Sequence, residues 1–226
     1  MKTWTLALPN AQISPISPCS IDSDRPCLIS AERAEAILLE GNPLSDCGVS
    51  LPTAISTPAL IVRSGLIETD SDDETDKMDA ARRTWSQEGR DRFDAAWADL
   101  SAQAESQSIG LWVHPVAGDV LGDIPALRGL AAGSPKADIF LEPAALITPS
   151  MVDTAEDHFV RMLDGLVESG VVRAVAMTNI AGTGTERART PIDDGEIDPA
   201  VLRAFAEKFA ALGPVCVLPQ DAGVPA

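Results

Sequence analysis

From about residue 58 onward, the chain alternates short apolar runs with amphipathic stretches of helical spacing, and this alternation limits its fold more than any other feature. Near-continuous apolar runs bounded by Gly, Pro or polar residues are typical of strands buried on both faces, as in a parallel sheet covered by helices. The runs that predict strands are 58–63, 109–115, 137–143, 171–177 and 214–219.

Helices are predicted between these strands, at 82–104, 124–132, 154–169 and 198–212. In the first of them Trp85, Phe93, Trp97 and Leu100 share one face, and Gly89 interrupts the pattern, which indicates either a bend or two helices. Residues 1–57 are less regular. They predict a strand at 3–8, a proline-rich loop at 10–29, a helix at 31–40 and a short strand within 47–55.

The order strand, helix, strand, helix with short connections predicts an α/β fold. We expect one domain spanning residues 1–226, a single β/α barrel of the TIM type with six or seven parallel strands. A full barrel needs eight strands and about 250 residues, so 226 residues are one or two βα units short. The sequence leaves open whether such a barrel closes.

The net charge of the chain limits the classes of partner that it can bind. Its formal net charge is −17, with 34 acidic and 17 basic residues. Nucleic acids and anionic membrane surfaces attract basic proteins, so neither is an expected partner. The 4 cysteines lack the spacing of a zinc or redox site, and the short apolar start does not resemble a signal peptide. We therefore expect a cytoplasmic protein that binds a small molecule.

Polar residues follow nearly every predicted strand. The carboxyl ends of the strands in a β/α barrel meet at one rim, where such proteins carry their chemistry. A structural role is the commoner meaning of each residue alone, because strands generally end where polarity begins. The strand-end residues are Asn10, Arg63, His114, Glu142, Asn179 and Gln220.

His114 and Glu142 form the sharpest pair among these residues, since each ends an aromatic-containing strand and precedes a proline. An imidazole beside a carboxylate serves as an acid/base pair or as two metal ligands. Asp119 is the nearest third ligand. We therefore predict catalytic or weak metal-binding roles for His114 and Glu142.

The segment 179–189 is rich in Gly and Thr and carries Arg187 and Arg189. Backbone N–H groups in such a loop, together with guanidinium groups, hold phosphate or carboxylate. A flexible surface loop is the commoner meaning of this composition. We predict substrate-binding roles for both arginines, and likewise for Arg63, Asn179 and Gln220.

The layout from residue 58 to the C-terminus resembles the xylose isomerase-like barrel superfamily, the sugar phosphate isomerases and epimerases. The resemblance lies in the order and spacing of three segments: 110–115, 138–146 and 172–179, and in the Gly-x-x-Asp entry to the last helix at 195–198. It implies a TIM-like barrel, isomerase or epimerase activity on a small polyhydroxylated or phosphorylated substrate, and a divalent metal.

Five positions depart from the pattern of that superfamily. His114 stands where the family commonly has a metal-binding Glu, and Glu142 stands where it has Asp. Ala176 and Asn179 stand in place of a His-x-x-Asp pair, and either Pro219 or Gln220 stands in place of a final Glu. Hard divalent ions prefer several carboxylates. Two functions remain open: a sugar phosphate isomerase or epimerase, and a catalytically degenerate barrel that binds a small ligand or a protein partner.

Overall fold

Ten strands and five α-helices make up the computed structural model, which describes residues 3–7, 27–29, 34–39, 41–45, 48–51, 57–132, 137–166, 169–182, 188–213 and 215–217. The strands are β1 Thr3–Ala7, β2 Cys27–Ile29, β3 Ala34–Leu39, β4 Ala59–Arg63, β5 Gly110–His114, β6 Asp138–Leu141, β7 Val172–Met177, β8 Asn179–Ala181, β9 Ala188–Thr190 and β10 Val215–Val217. The helices are α1 Glu74–Thr84, α2 Gln87–Ser106, α3 Ile124–Ala132, α4 Ala155–Leu166 and α5 Pro199–Phe209.

Eight of these strands form a closed barrel in the order β1-β10-β7-β6-β5-β4-β3-β2. Five parallel strands, β4 to β7 and β10, are connected by the helices and form a curled half-barrel. β3 and β1 extend it in parallel at its two edges. β2 closes the ring by pairing antiparallel with both.

The predicted α/β barrel, incomplete and with six or seven parallel strands, is therefore confirmed, and the described residues form seven parallel strands. It also falls short of a complete βα repeat, as expected, because the described residues between β1 and β4 include no helix. The antiparallel β2 replaces a missing βα unit. A short strand that returns antiparallel between two parallel neighbours closes the ring without a crossover helix.

The helix predicted at 31–40 is wrong, because residues 34–39 form β3. Alanine and glutamate favour a helix locally, but β3 pairs with β2 on one side and β4 on the other, and this pairing overrides the local preference. Of the short strand predicted within 47–55, the described residues 48–51 have no regular structure.

Alternate residues along the strands divide the core into two parts. One apolar cluster fills the inside of the barrel and consists of Ala36, Leu38, Ala59, Ile61, Phe140, Ala174 and Ala176, with Trp112 against it. The larger cluster lies between the strands and the helices. It includes the strand residues that alternate with the first set, among them Leu60, Val62, Ile139, Leu141 and Val175. Because side chains alternate along a strand, residues 63, 114, 142 and 178 continue the inward-facing series toward the mouth.

The long helix predicted at 82–104 is two helices, α1 and α2, and Gly89 lets their ends meet. A Cβ atom at Gly89 would lie 2.0 Å from the carbonyl oxygen of Thr84 at the end of α1. Phe93 and Trp97 of α2 stack inside the core. Trp85, predicted on the same buried face, is 66 % exposed because it lies in the connection between the helices. None of the helices in the described ranges combines the length and the apolarity that a membrane crossing requires.

Replacing Gly89 with Ala should destabilise the protein by about 1–3 kcal/mol, because the added methyl collides with backbone that cannot move freely. The matched control is Gly129→Ala in α3, where a Cβ meets no atom within 4 Å. This control should gain up to about 1 kcal/mol from helix propensity. Urea unfolding of both variants measures the difference, and equal stabilities would contradict the close approach at Gly89.

Candidate active site at the barrel mouth

His114 and Glu142 meet inside the mouth of the barrel. His114 ends β5, Glu142 directly follows β6, and the side chains of both are almost fully buried. The imidazole Nε2 lies 3.0 Å from Oε2 of Glu142. The ring of Phe140 lies beneath, with its centroid 5.3 Å from that of His114. The structure therefore brings together the two residues that the sequence singles out as a pair.

Arg189 binds the same carboxylate from the β8–β9 hairpin. Its Nε donates to Oε1 and Oε2 of Glu142 at 2.9 Å and 2.8 Å. The Glu142 side chain is 1 % exposed and that of Arg189 is 27 % exposed. The hydroxyl of Thr178 also donates to Oε1, at 2.6 Å. Glu142 is thus a buried carboxylate with its charge balanced by a guanidinium that reaches the surface.

These contacts set the charge states of the pair. Burial by itself would raise the pKa of Glu142, but Arg189, His114 and Thr178 outweigh it and lower that pKa from 4.5 to about 2. Burial lowers the pKa of His114 below 6.5, although the carboxylate of Glu142 opposes the shift. At neutral pH the site therefore holds a carboxylate, a neutral imidazole and a guanidinium.

The contact between His114 and Glu142 is close but poorly directed. Nε2 lies within hydrogen-bonding distance of Oε2, yet the N–H direction does not meet the oxygen well enough to form a hydrogen bond. Within the described ranges, Nε2 is one of two buried side-chain polar atoms without such a bond, and the other is Oγ1 of Thr190. Buried polar groups are nearly always hydrogen-bonded, so this nitrogen has unused capacity.

Arg63 lies beside this cluster, at the end of β4, and is held by Asp119. The guanidinium donates to both carboxylate oxygens of Asp119 at 2.6–3.0 Å. The hydroxyl of Ser64 and the backbone N–H of Gly65 donate to Oδ2 at 3.2 Å and 2.8 Å. Asp119 is fully buried, whereas the Arg63 side chain is 40 % exposed. Asp119 thus holds Arg63 and does not join His114 and Glu142 as a third ligand.

The side chain of Asn179, for which a substrate-binding role is predicted, forms its hydrogen bonds within the chain. Its amide donates to the carbonyls of Ile192 and Ile197 at 2.9 Å and 2.7 Å. Its Oδ1 accepts from the backbone N–H groups of Ile180 and Ile197. Three of these four side-chain hydrogen bonds join β8 to residues 192–197, and the fourth lies within β8.

Thr178 is the site residue that the sequence reading missed. Strand position could have found it, because 174, 176 and 178 share the inward-facing series and Asn179 falls on the other face. Three predicted site residues, Asn10, Arg187 and Gln220, lie outside the described residues.

The residues present do not fit a divalent metal ion. Both oxygens of Glu142 already accept from Arg189, whose positive charge takes the place next to the carboxylate that a metal ion would need. Both oxygens of Asp119 are bound by Arg63. The described part of the chain contains no group of three or more His, Cys, Asp or Glu side chains placed to hold a metal ion.

Comparison with known proteins finds likeness at the level of the fold. Two solved structures are similar: a xylose isomerase domain protein from Planctomyces limnophilus (12 % identity, TM-score 0.40) and a xylose isomerase-like TIM barrel protein from Mycobacterium smegmatis in complex with magnesium (11 % identity, TM-score 0.38). The matches cover 74 % and 71 % of this chain but 53 % and 54 % of those chains. No protein-family model and no curated protein matches the sequence.

The buried histidine should make the folded state less stable as the pH falls. In the unfolded chain His114 takes up a proton below about pH 6.5, whereas in the folded site burial keeps the ring neutral. Because the unfolded state then binds more protons, the free energy of unfolding falls as the pH drops below this value. His114→Gln should flatten this first part of the pH dependence. His158→Gln, which alters the other of the 2 histidines, should leave it in place. Urea midpoints across pH measure the effect, and an identical slope in both variants would contradict it.

Removing Arg189 should destabilise the fold strongly. Arg189→Met leaves the Glu142 carboxylate buried without its guanidinium, and loss of one partner of a buried ion pair costs about 3–5 kcal/mol. Arg203→Met is the control, because Arg203 pairs with Asp193 in an exposed ion pair and its loss should cost less than about 1 kcal/mol. Chemical unfolding at neutral pH compares the two. Similar losses of unfolding free energy in both variants would show that the buried ion pair stabilises the fold no more than the exposed one.

Proposed function

We propose that the mouth of the barrel binds a small polyhydroxylated or phosphorylated molecule without a metal ion, as a catalytically degenerate relative of the isomerase and epimerase barrels. The observation that carries the proposal is the Glu142–Arg189 ion pair at the top of the barrel interior. It supports the proposal because the Arg189 side chain is held by a buried carboxylate and is still 27 % exposed.

Two arginines at this rim share one arrangement. Arg189 is held from the inside by Glu142 and Arg63 is held from the inside by Asp119, and both side chains remain partly exposed. A guanidinium held in place loses little conformational freedom on binding, and its planar donors suit the oxygens of phosphate and carboxylate. This arrangement supports the proposal that the ligand carries an anionic group.

The state of His114 supports the proposal that the same ligand carries hydroxyl groups. Its pKa is lowered by burial, so the ring is neutral and offers one nitrogen as a donor and the other as an acceptor. Nε2 forms no well-directed hydrogen bond within the described structure. Because Nε2 is buried beside Oε2 of Glu142, a sugar hydroxyl would satisfy it only by entering the mouth next to that carboxylate.

Binding is favoured over metal-dependent isomerisation because Glu142 is badly suited to proton transfer. With a pKa of about 2, its carboxylate is a weak base at neutral pH. Its oxygens accept from Arg189 and Thr178 and are not free to take a proton from a substrate. The described residues also lack the group of donors that a metal ion requires.

A second candidate is a metal-independent isomerase or epimerase, favoured by the neutral imidazole of His114 at the barrel mouth. In that reaction the neutral imidazole takes a proton from the carbon next to a substrate carbonyl, and the electron pair moves onto the carbonyl oxygen. Arg189 would stabilise the resulting negative charge. For an isomerase, a proton then returns from the imidazolium to the former carbonyl carbon, and the proton of the neighbouring hydroxyl passes to the former carbonyl oxygen. For an epimerase, a solvent proton returns to the original carbon from the opposite face. In both cases the abstracted proton can exchange with solvent.

Calorimetric titration with glucose 6-phosphate and with glucose tests the proposal. We expect saturable binding of the phosphate ester that EDTA leaves unchanged and that is much weaker for glucose. Arg189→Lys keeps a cation beside Glu142 but loses the planar donors, so affinity should fall by about tenfold. Arg203→Lys, at an exposed ion pair, should bind as the unaltered protein does.

Two results would contradict binding of this class at the mouth: no difference between the two lysine variants, or binding that requires added Mn²⁺. The same mixtures in D₂O separate the two candidates. Deuterium incorporation into a ketose phosphate that His114→Gln abolishes would favour the isomerase, and its absence favours binding alone.

A further inference from the structure

The outer wall of the barrel carries a groove between α3 and α4 that is separate from the mouth. Its volume is about 540 Å³, within the roughly 300–1,000 Å³ typical of small-molecule sites. Apolar side chains line it, contributed by Ile124, Leu146, Met151 and Met162. Its charged lining includes Arg128 and Arg161, with His158 beside them.

The arginines of this groove differ from the others in their partners. Side-chain positions are described for ten arginines, and within that set eight form an ion pair with a carboxylate: Arg63, Arg82, Arg83, Arg90, Arg92, Arg173, Arg189 and Arg203. Arg128 and Arg161 are the two that pair with no carboxylate of the described residues, and both line the groove. This is unexpected in a chain with 34 acidic and 17 basic residues.

The local contacts keep Arg128 at the groove without neutralising it. It makes only long contacts, of 3.4 Å, to the backbone carbonyls of Asp164 and Gly165 at the end of α4. Gly165 allows this close approach, since a Cβ there would lie 2.6 Å from Cγ2 of Ile124. Side chains of α3 therefore contact the backbone of α4 at one end of the groove, and these contacts hold Arg128 beside it.

Two carboxylates, Asp123 and Asp164, also line the groove without contacting the arginines directly. Oδ1 of Asp123 accepts from the backbone N–H of Ala126 at 2.7 Å and so caps the start of α3. Neither Asp123 nor Asp164 forms an ion pair with Arg128 or Arg161 in the described structure. The groove thus combines an apolar floor with two arginines that form no direct ion pair with a carboxylate of the described residues.

We propose that this groove is a second ligand site, for a small organic anion with an apolar body and a carboxylate or phosphate head. The head pairs with Arg128 and Arg161, because guanidinium groups recognise both kinds of anion. The body covers the apolar side chains of the floor, where burial of apolar area favours binding. The net charge of −17 repels anions elsewhere on the surface, so the site depends on these two side chains.

Three probes of equal chain length test the proposal in ¹⁵N NMR titrations at low salt: octanoate, octyl phosphate and 1-octanol. We expect saturable shifts in the amides of α3 and α4 with at least one of the two anions, and about tenfold weaker binding of the uncharged alcohol. The relative affinities of octanoate and octyl phosphate identify the preferred head group.

The double variant Arg128→Gln with Arg161→Gln should lose about tenfold or more in affinity for the anion. Both side chains are exposed, so the variant should fold. The matched control is Arg82→Gln with Arg92→Gln on α1 and α2, which changes the net charge equally at exposed, ion-paired arginines and should keep the affinity. The proposal is overturned if neither anion binds, if octanol binds as tightly, if the double variant binds unchanged, or if the shifts map to the barrel mouth.

Discussion

The buried ion pair between Glu142 and Arg189 is the interaction on which the mouth of this barrel depends. A carboxylate with 1 % exposure is tolerated only with a partner charge and hydrogen bonds, and Arg189 and Thr178 supply them. The same pair connects the β8–β9 hairpin to the end of β6. It therefore shapes the rim and sets the charge of the site at once.

This pair also explains why the site differs from a metal centre. A guanidinium delivers one positive charge from within the chain, and it saturates the oxygens that a metal ion would coordinate. His114 then remains as a neutral ring above Phe140, with a nitrogen that no described group satisfies well. The chemistry available is recognition by hydrogen bonds and by charge, with proton transfer confined to the imidazole.

Much of the fold could be predicted because strand and helix periodicities are local properties of the chain. The strand-end positions of Arg63, His114 and Glu142 followed from the apolar runs alone, and all three lie at the mouth as expected. Thr178 was not predicted because Asn179 is the first strongly polar residue after the apolar run, although Thr178 is the one on the inward-facing side of the strand. The helix predicted at 31–40 failed because its residues gain more from pairing with β2 and β4 than from local helix propensity.

The sequence by itself determined the alternation of strands and helices, the acidic surface and the residue types that reach the rim. Only the tertiary structure decided which of those residues meet. Arg189 is 47 positions from Glu142 along the chain, and their contact depends on the curvature of the sheet and the path of a hairpin. The closure of the ring by the antiparallel β2 was likewise decided by pairing between distant strands. Such contacts follow from three-dimensional packing, which local residue patterns do not encode.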